Sequence, residues 1–193
     1  ADYNQDNYDN STIGLTEATQ PVYTIDFSYQ PTLKTSIYGY YTYEYIDSSQ
    51  AGFSNLLHPS PDWLANSKDK FNIAGIGAKL TELGKWELGS DIVYSSSTGS
   101  LTMENLVNPG NENQYPDTKS TISSISFWAN YNYNKQLVYK LGYWFEDYSA
   151  DDWSVDGLQA YDPTTVANSL LLGNQTLDYN AHVITISASY RYH

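Results

Sequence analysis

In seven stretches of this chain apolar and polar residues alternate with a period of two, and the aromatic-rich side of each stretch carries no charge. One stretch sets Tyr23, Ile25, Phe27 and Tyr29 against Thr24, Asp26 and Ser28. Another sets Leu137, Tyr139, Leu141, Tyr143 and Phe145 against Val138, Lys140, Gly142 and Trp144, and the last sets Ile184, Ile186, Ala188, Tyr190 and Tyr192 against Thr185, Ser187, Ser189 and Arg191. Successive side chains of a strand point to opposite faces, so each stretch reads as a strand with one greasy and one wet side. The pattern predicts strands from Val22 to Tyr29, Leu33 to Tyr45, Phe71 to Leu80 and Trp86 to Tyr94. Three more follow, carrying Ile125 to Tyr133, Leu137 to Phe145 and Ile184 to Tyr192.

The connections alternate in length. Gln30-Pro31-Thr32, Leu83-Gly84-Lys85 and Asn134-Lys135 are tight, whereas 46–70, 95–119 and 146–180 read as long polar loops. Short periplasmic turns and long extracellular loops are the habit of outer-membrane barrels. The fold class expected is therefore all-β, an antiparallel transmembrane β-barrel, with residues 1–193 as a single domain. Residues 1–21 read as an extracellular loop and 22–192 as the strands with their turns and loops. With the short turns in the periplasm, the first strand starts on the extracellular side, and a bacterial barrel has an even number of strands. Asp2 to Gly14 looks too polar to supply an upward strand. The chain is thus expected to be the C-terminal section of a larger barrel.

Charge agrees with this frame. Asp26, Lys34, Glu44, Lys79, Glu87, Asp91, Lys140 and Arg191 all fall on the non-lipid faces, where they avoid the roughly 2–4 kcal/mol cost of a basic side chain at mid-bilayer. A secreted sandwich would alternate too, but its core favours Val, Ile and Leu over the interface-loving tyrosine, of which this chain has 20. The negative mean hydropathy, −0.52, reflects the wet half of every strand. A net charge of −13 argues against a nucleic-acid partner, which needs clustered Lys and Arg. There is no cysteine, hence no disulfide and no thiolate anchor for haem.

Candidate chemistry is sparse. No serine, histidine and carboxylate set suggests a triad, so the chain is not expected to be an enzyme, to bind a metal or to hold a cofactor itself. His58, His182 and His193 share no ligand spacing. Asp151-Asp152-Trp153 with Asp156-Gly157 has the carboxylates a Ca²⁺ site uses, yet it reads more simply as a solvated acidic loop. The residues expected to face the lumen or a partner within it are Asp26, Glu87, Asp91, Trp128, Lys140, Trp144 and Arg191. Glu87 and Asp91 share a face and would line a wet lumen or pair with Lys140 or Arg191. Inward tryptophans are unusual in an empty porin, so Trp128 and Trp144 read as contacts for an enclosed protein.

The run Leu141-Gly142-Tyr143-Trp144-Phe145-Glu146-Asp147-Tyr148, then Asp151-Asp152-Trp153, Asp156-Gly157 and Leu172-Gly173, resembles the MtrB/PioB family. Asp178-Tyr179-Asn180-Ala181-His182-Val183, the ending Ser189-Tyr190-Arg191-Tyr192 and the early Gly14-Leu15-Thr16-Glu17 extend the likeness. His193 after Tyr192 departs from the aromatic ending common in barrels. The resemblance implies an integral protein of the bacterial outer membrane, surrounded by lipid and acting as an insulating sleeve. A periplasmic multihaem c-type cytochrome would thread its lumen, and an extracellular multihaem cytochrome would dock at its loops. Electrons would pass between haems of the partners, with none bound by the barrel. The alternative is a general diffusion porin or solute channel.

Overall fold

A computed structural model describes residues 1–8, 12–54, 60–108, 110, 112–155, 161–162, 169–170 and 178–192. The strands are β1 (Asp2–Asn7), β2 (Gly14–Thr32), β3 (Thr35–Gly52), β4 (Trp63–Leu83), β5 (Trp86–Asn105), β6 (Glu112–Gln114), β7 (Thr118–Asn132), β8 (Leu137–Asp151), β9 (Tyr161–Asp162), β10 (Ser169–Leu170) and β11 (Tyr179–Tyr190). One antiparallel sheet runs β1-β2-β3-β4-β5-β7-β8-β11, with β6 against the upper part of β5, and β9 and β10 pair separately. The sheet is open, with β1 at one edge and β11 at the other. All seven predicted strands are present. The tight turn into β5 is made by Gly84, whose φ of 67° lies where a side chain would be strained.

Directly paired residues of an antiparallel ladder share a face, so the register fixes both faces across the sheet. Leu80, Leu88, Ala129, Leu141 and Ile186 form one outward row. Lys79, Gly89, Trp128, Gly142 and Thr185 form the next row, on the opposite face. In the spanning strands the outward residues are mostly apolar or aromatic over about seven to nine positions, with Ser90 on β5 as an exception, close to the length a tilted strand needs to cross hydrocarbon. Trp86 to Tyr94 and Leu137 to Phe145 are examples.

The border of this apolar band measures the tilt. Tyr23, the uppermost large apolar residue facing outward on β2, lies in the ladder row of Asn72, and its counterpart Ile184 on β11 lies in the row of Ala78. The border thus slides six residues over six strand-to-strand steps. The lower border slides the same way, with Tyr29 in the row of Ala78 and Tyr190, opposite Leu137, two residues below the row of Trp86. At roughly 3.3 Å per residue and 4.8 Å between strands, one residue per step tilts the strands by about 35°, within the barrel range.

Above the band the strands do not stop. The segment 46–70, expected as loop, continues β3 to Gly52 and begins β4 at Trp63. Of 95–119, residues 95–105 extend β5, while β6 and the start of β7 take up more. Residues 1–21, also expected as loop, form β1 and the first part of β2, and Asp2–Asn7 pairs with Glu17–Val22 above the hydrocarbon. Polarity there excludes a strand only from lipid, not from a ladder in water. At the tip of the β3–β4 connection the buried Asp62 carboxylate accepts from the Ser54 amide (2.7 Å) and hydroxyl (2.9 Å), while its main chain bonds Gly52 and Leu106.

Among the described residues only Ala51 and Ala65 are buried apolar side chains. Ile25, Ile184 and Ile186 are 72%, 69% and 80% exposed. A contiguous apolar face of this size is far beyond what a water-soluble protein leaves open; here lipid covers it.

Candidate functional site

The inner face of the sheet holds the polar side chains that alternation put there, and six of the seven candidates lie on it, Arg191 coming just after the last strand. Asp91 and Trp144 both sit opposite Ser126, and Glu87 and Lys140 both sit opposite Asn130. Trp128 pairs with Gly89 on one side and Gly142 on the other. Asp26 lies toward the far edge of the same face, opposite Tyr40. Arg191 follows β11, its amide donating to the Gln136 carbonyl at 2.9 Å. The structure therefore gathers Glu87, Asp91, Trp128, Lys140 and Trp144 and leaves Asp26 and Arg191 apart.

Glycine–aromatic pairs shape this face. A Cβ built on Gly89 would meet the Trp128 ring, and one on Gly75 would meet Tyr40 Cε1 at 2.5 Å. One on Gly77 would meet both the Tyr38 ring and the Asp91 carboxylate. Each ring therefore lies down across the neighbouring strand instead of standing into the lumen. The Tyr38 hydroxyl donates to Asp91 Oδ1, the Ser126 hydroxyl donates to Asp91 Oδ2 at 3.4 Å, and Lys79 Nζ stands 5.8 Å from the Trp128 ring centre. Asp91 is thus held by hydroxyls. Lys68 pairs with Asp47, whereas neither Glu87 nor Asp91 pairs with Lys140 or Arg191, which leaves the wet-lumen alternative for these carboxylates. The distance between strands explains this: Lys140 is separated from Glu87 by the whole of β7. Beside Trp128 and Lys140 a shallow groove of about 320 Å³ is lined by Asn130, Gly142, Thr185 and Ser187.

Tyr38 and Tyr40 were not singled out in the sequence, although the alternation that sets Ile37, Tyr41, Tyr43 and Tyr45 on one face puts them on the other. Gly75 and Gly77, which weaken the alternation of their strand, were the available signal, because an aromatic opposite an inner glycine has a seat for its ring. The other candidates resolve differently. His182 is outward, its Nδ1 2.9 Å from the Tyr143 hydroxyl and its ring beside Phe145. Asp152 accepts from the Ser154 amide at 2.9 Å, and Trp153 stacks on Tyr115 with centroids 4.8 Å apart. Among the described residues no three His, Cys, Asp or Glu side chains gather as metal ligands. His58, His193, Asp156, Gly157, Leu172 and Gly173 lie outside the described residues.

Comparison with known proteins agrees with the geometry. The family described as outer membrane beta-barrel porin, MtrB/PioB, matches residues 1–192. "Outer membrane protein MtrB" of Shewanella baltica (strain OS185) is 29% identical over 197 residues, which cover 99% of this chain and 26% of that protein. The chain therefore spans about a quarter of the length of this curated relative. Among solved structures, the copper transporter OprC superposes with a TM-score of 0.62 at 8% identity, over 92% of this chain and 29% of that one. The ferric citrate transporter FecA gives 0.54 at 14% identity, over 91% and 25%. An antiparallel sheet with an outward apolar band, barrel tilt and a polar inner face is the wall of an integral outer-membrane β-barrel. The chain belongs to the MtrB/PioB family of such porin-like barrels.

Proposed function

We propose that this chain is part of the wall of a barrel that houses a multihaem c-type cytochrome and aligns it for electron transfer across the outer membrane. The observation that carries the reading is the flattened inner face. Tyr38, Tyr40 and Trp128 lie over glycines of adjacent strands, which leaves a smooth surface of hydroxyls, amides and charges of both signs. Such a surface suits a folded protein lying against it, whereas projecting rings would shorten the contact. The chain has no cysteine, so haem would belong to the periplasmic partner inside the lumen, and an extracellular multihaem cytochrome would dock at the loops. The two sheet edges would be closed by further strands of a larger barrel, because unpaired backbone groups in lipid cost several kcal/mol each.

The test is electron transfer across a proteoliposome wall by the full-length barrel, with and without the cytochrome, alongside ion leakage. A conduit passes electrons only with its partner and leaks little, because the plug fills it. Changes of bulk or charge at Trp128, Trp144, Glu87 or Lys140 should lower the amount of co-purifying haem. Free passage of ions or sugars by the native complex, with no haem protein attached, would establish the diffusion porin instead.

A further inference from the structure

We infer that the outer face of β4, β5 and β7, just above the apolar band, is a binding site for a phosphorylated oligosaccharide headgroup of an outer-leaflet glycolipid. Lys70, Thr98 and Lys119 occupy one outward row. Lys68 and Ser100 form the row above, and Asn72, Ser96 and Thr121 the row below. All lie an even number of residues from Ala74, Tyr94 or Ile125, so they share the lipid-facing side. Three of the nine basic residues of a chain with net charge −13 meet here, and all three are exposed. The outward positions of these three strands at this level carry no carboxylate. Asp47 on β3 stands directly opposite Lys68 and pairs with it at 3.7 Å, Asp151 on β8 stands opposite Lys119, and Asp147 lies lower, in the row of Tyr94. Among the described residues Lys70 and Lys119 have no carboxylate within ion-pair distance.

Height chooses the ligand. Lys70 stands four residues beyond Ala74 and Lys119 six beyond Ile125, which at this tilt is roughly 11 to 16 Å past the hydrocarbon. A phospholipid headgroup layer is only about 5–8 Å deep. A sugar headgroup carrying phosphates stands at the height of the ammonium groups. Lysines supply point charges to such phosphates, and the four hydroxyls and one amide between them supply donors to phosphate and sugar oxygens.

The experiment uses the full-length barrel, reconstituted with rough lipopolysaccharide whose core bears phosphates, and reads the glycolipid retained after detergent exchange by native mass spectrometry. Heat-modifiable migration on gels reports folding. The wild type should retain the phosphorylated glycolipid and not its phosphatase-treated form. The Lys70→Gln/Lys119→Gln double variant should lose about tenfold in retention, an energy within reach of two lost charge-assisted contacts. Lys70→Arg/Lys119→Arg should hold it, and Lys135→Gln, in the opposite turn, should change nothing. Equal retention by the Gln double variant, equal binding of the dephosphorylated form, or full displacement by millimolar inorganic phosphate would each overturn the inference.

Discussion

Below Tyr94 the sheet separates two solvents, and above it the same sheet stands in one. In the lower region outward contacts are apolar, such as Trp86 against Tyr131 with ring centroids 4.8 Å apart. In the upper region both faces are polar, yet Ser95–Asn105 still pairs residue for residue with Trp63–Ile73. Lateral contacts there are hydroxyl and amide bonds, for example Ser97 to Ser120 at 2.7 Å and Ser49 to Asn66 at 2.7 Å. Period-two hydropathy therefore reports contact with lipid, whereas the ladder itself needs only partners in register. The lower region sets that register, since a slip by one residue would turn every outward apolar group into the lumen.

The largest effect should come from placing one cation on each region of a single strand. Leu141→Arg puts a guanidinium into hydrocarbon and should cost roughly 2–4 kcal/mol in urea titrations of the full-length barrel in vesicles. Ser149→Arg, outward on the same strand but above the band, should stay within about 0.5 kcal/mol. Equal losses would abolish the distinction between the regions.

Glycines sharpen the comparison. Gly89→Ala drives a methyl into the Trp128 indole, a rigid ring, and should cost about 1–3 kcal/mol by overpacking, with a red shift of Trp emission as the ring lifts. In the upper region a Cβ on Gly99 meets Asp69 Oδ1 at 2.6 Å and Thr118 Oγ1 at 2.7 Å. Those are ends of side chains that rotate away, so Gly99→Ala should cost less than Gly89→Ala in the same titration.

Smaller still is Lys68→Gln. Its pair with Asp47 joins side chains 52% and 34% exposed, so its loss should cost no more than about 1 kcal/mol and fade as salt rises. The smallest effect belongs to Tyr179, three residues above the band. Its hydroxyl donates to Glu146 Oε1 at 2.6 Å, and this bond to a carboxylate holds the phenol above its ordinary value of 10.0. The neutral phenol is the favoured form, so the contribution is complete below that ordinary value and disappears as pH rises through the raised one. Ultraviolet titration of wild type against Tyr179→Phe should show one phenol ionising late, and Glu146→Gln should bring it back.

Legibility followed solvent contrast. Leu141, Ile186 and Ile25 were readable as outward because lipid demanded apolar residues at every second place. Asp26, Glu87, Asp91 and Lys140 were readable as inward by the same parity. Residues 46–52, 63–70 and 95–105 were not readable as strand, since stretches such as Asn66-Ser67-Lys68-Asp69-Lys70 face water on both sides and have no hydropathy period. β1 was lost for the same reason. Parity already set Tyr38 and Tyr40 inward, but the flat seating of their rings escaped, because it depends on glycines far away in sequence. The absence of an Asp91 salt bridge is likewise invisible in composition, because it follows from strand spacing.

Among the described residues the only buried apolar side chains are Ala51 and Ala65, so this sheet has two surfaces and almost no inside. Each spanning side chain is solvated by one of two media, and neither medium is the protein. Whatever fills the lumen therefore acts on this wall as a change of solvent on one face, while the hydrogen-bonded frame stays as it is. Occupancy of the lumen becomes a wetting problem, in which adhesion between two polar surfaces competes with water and no strand has to move.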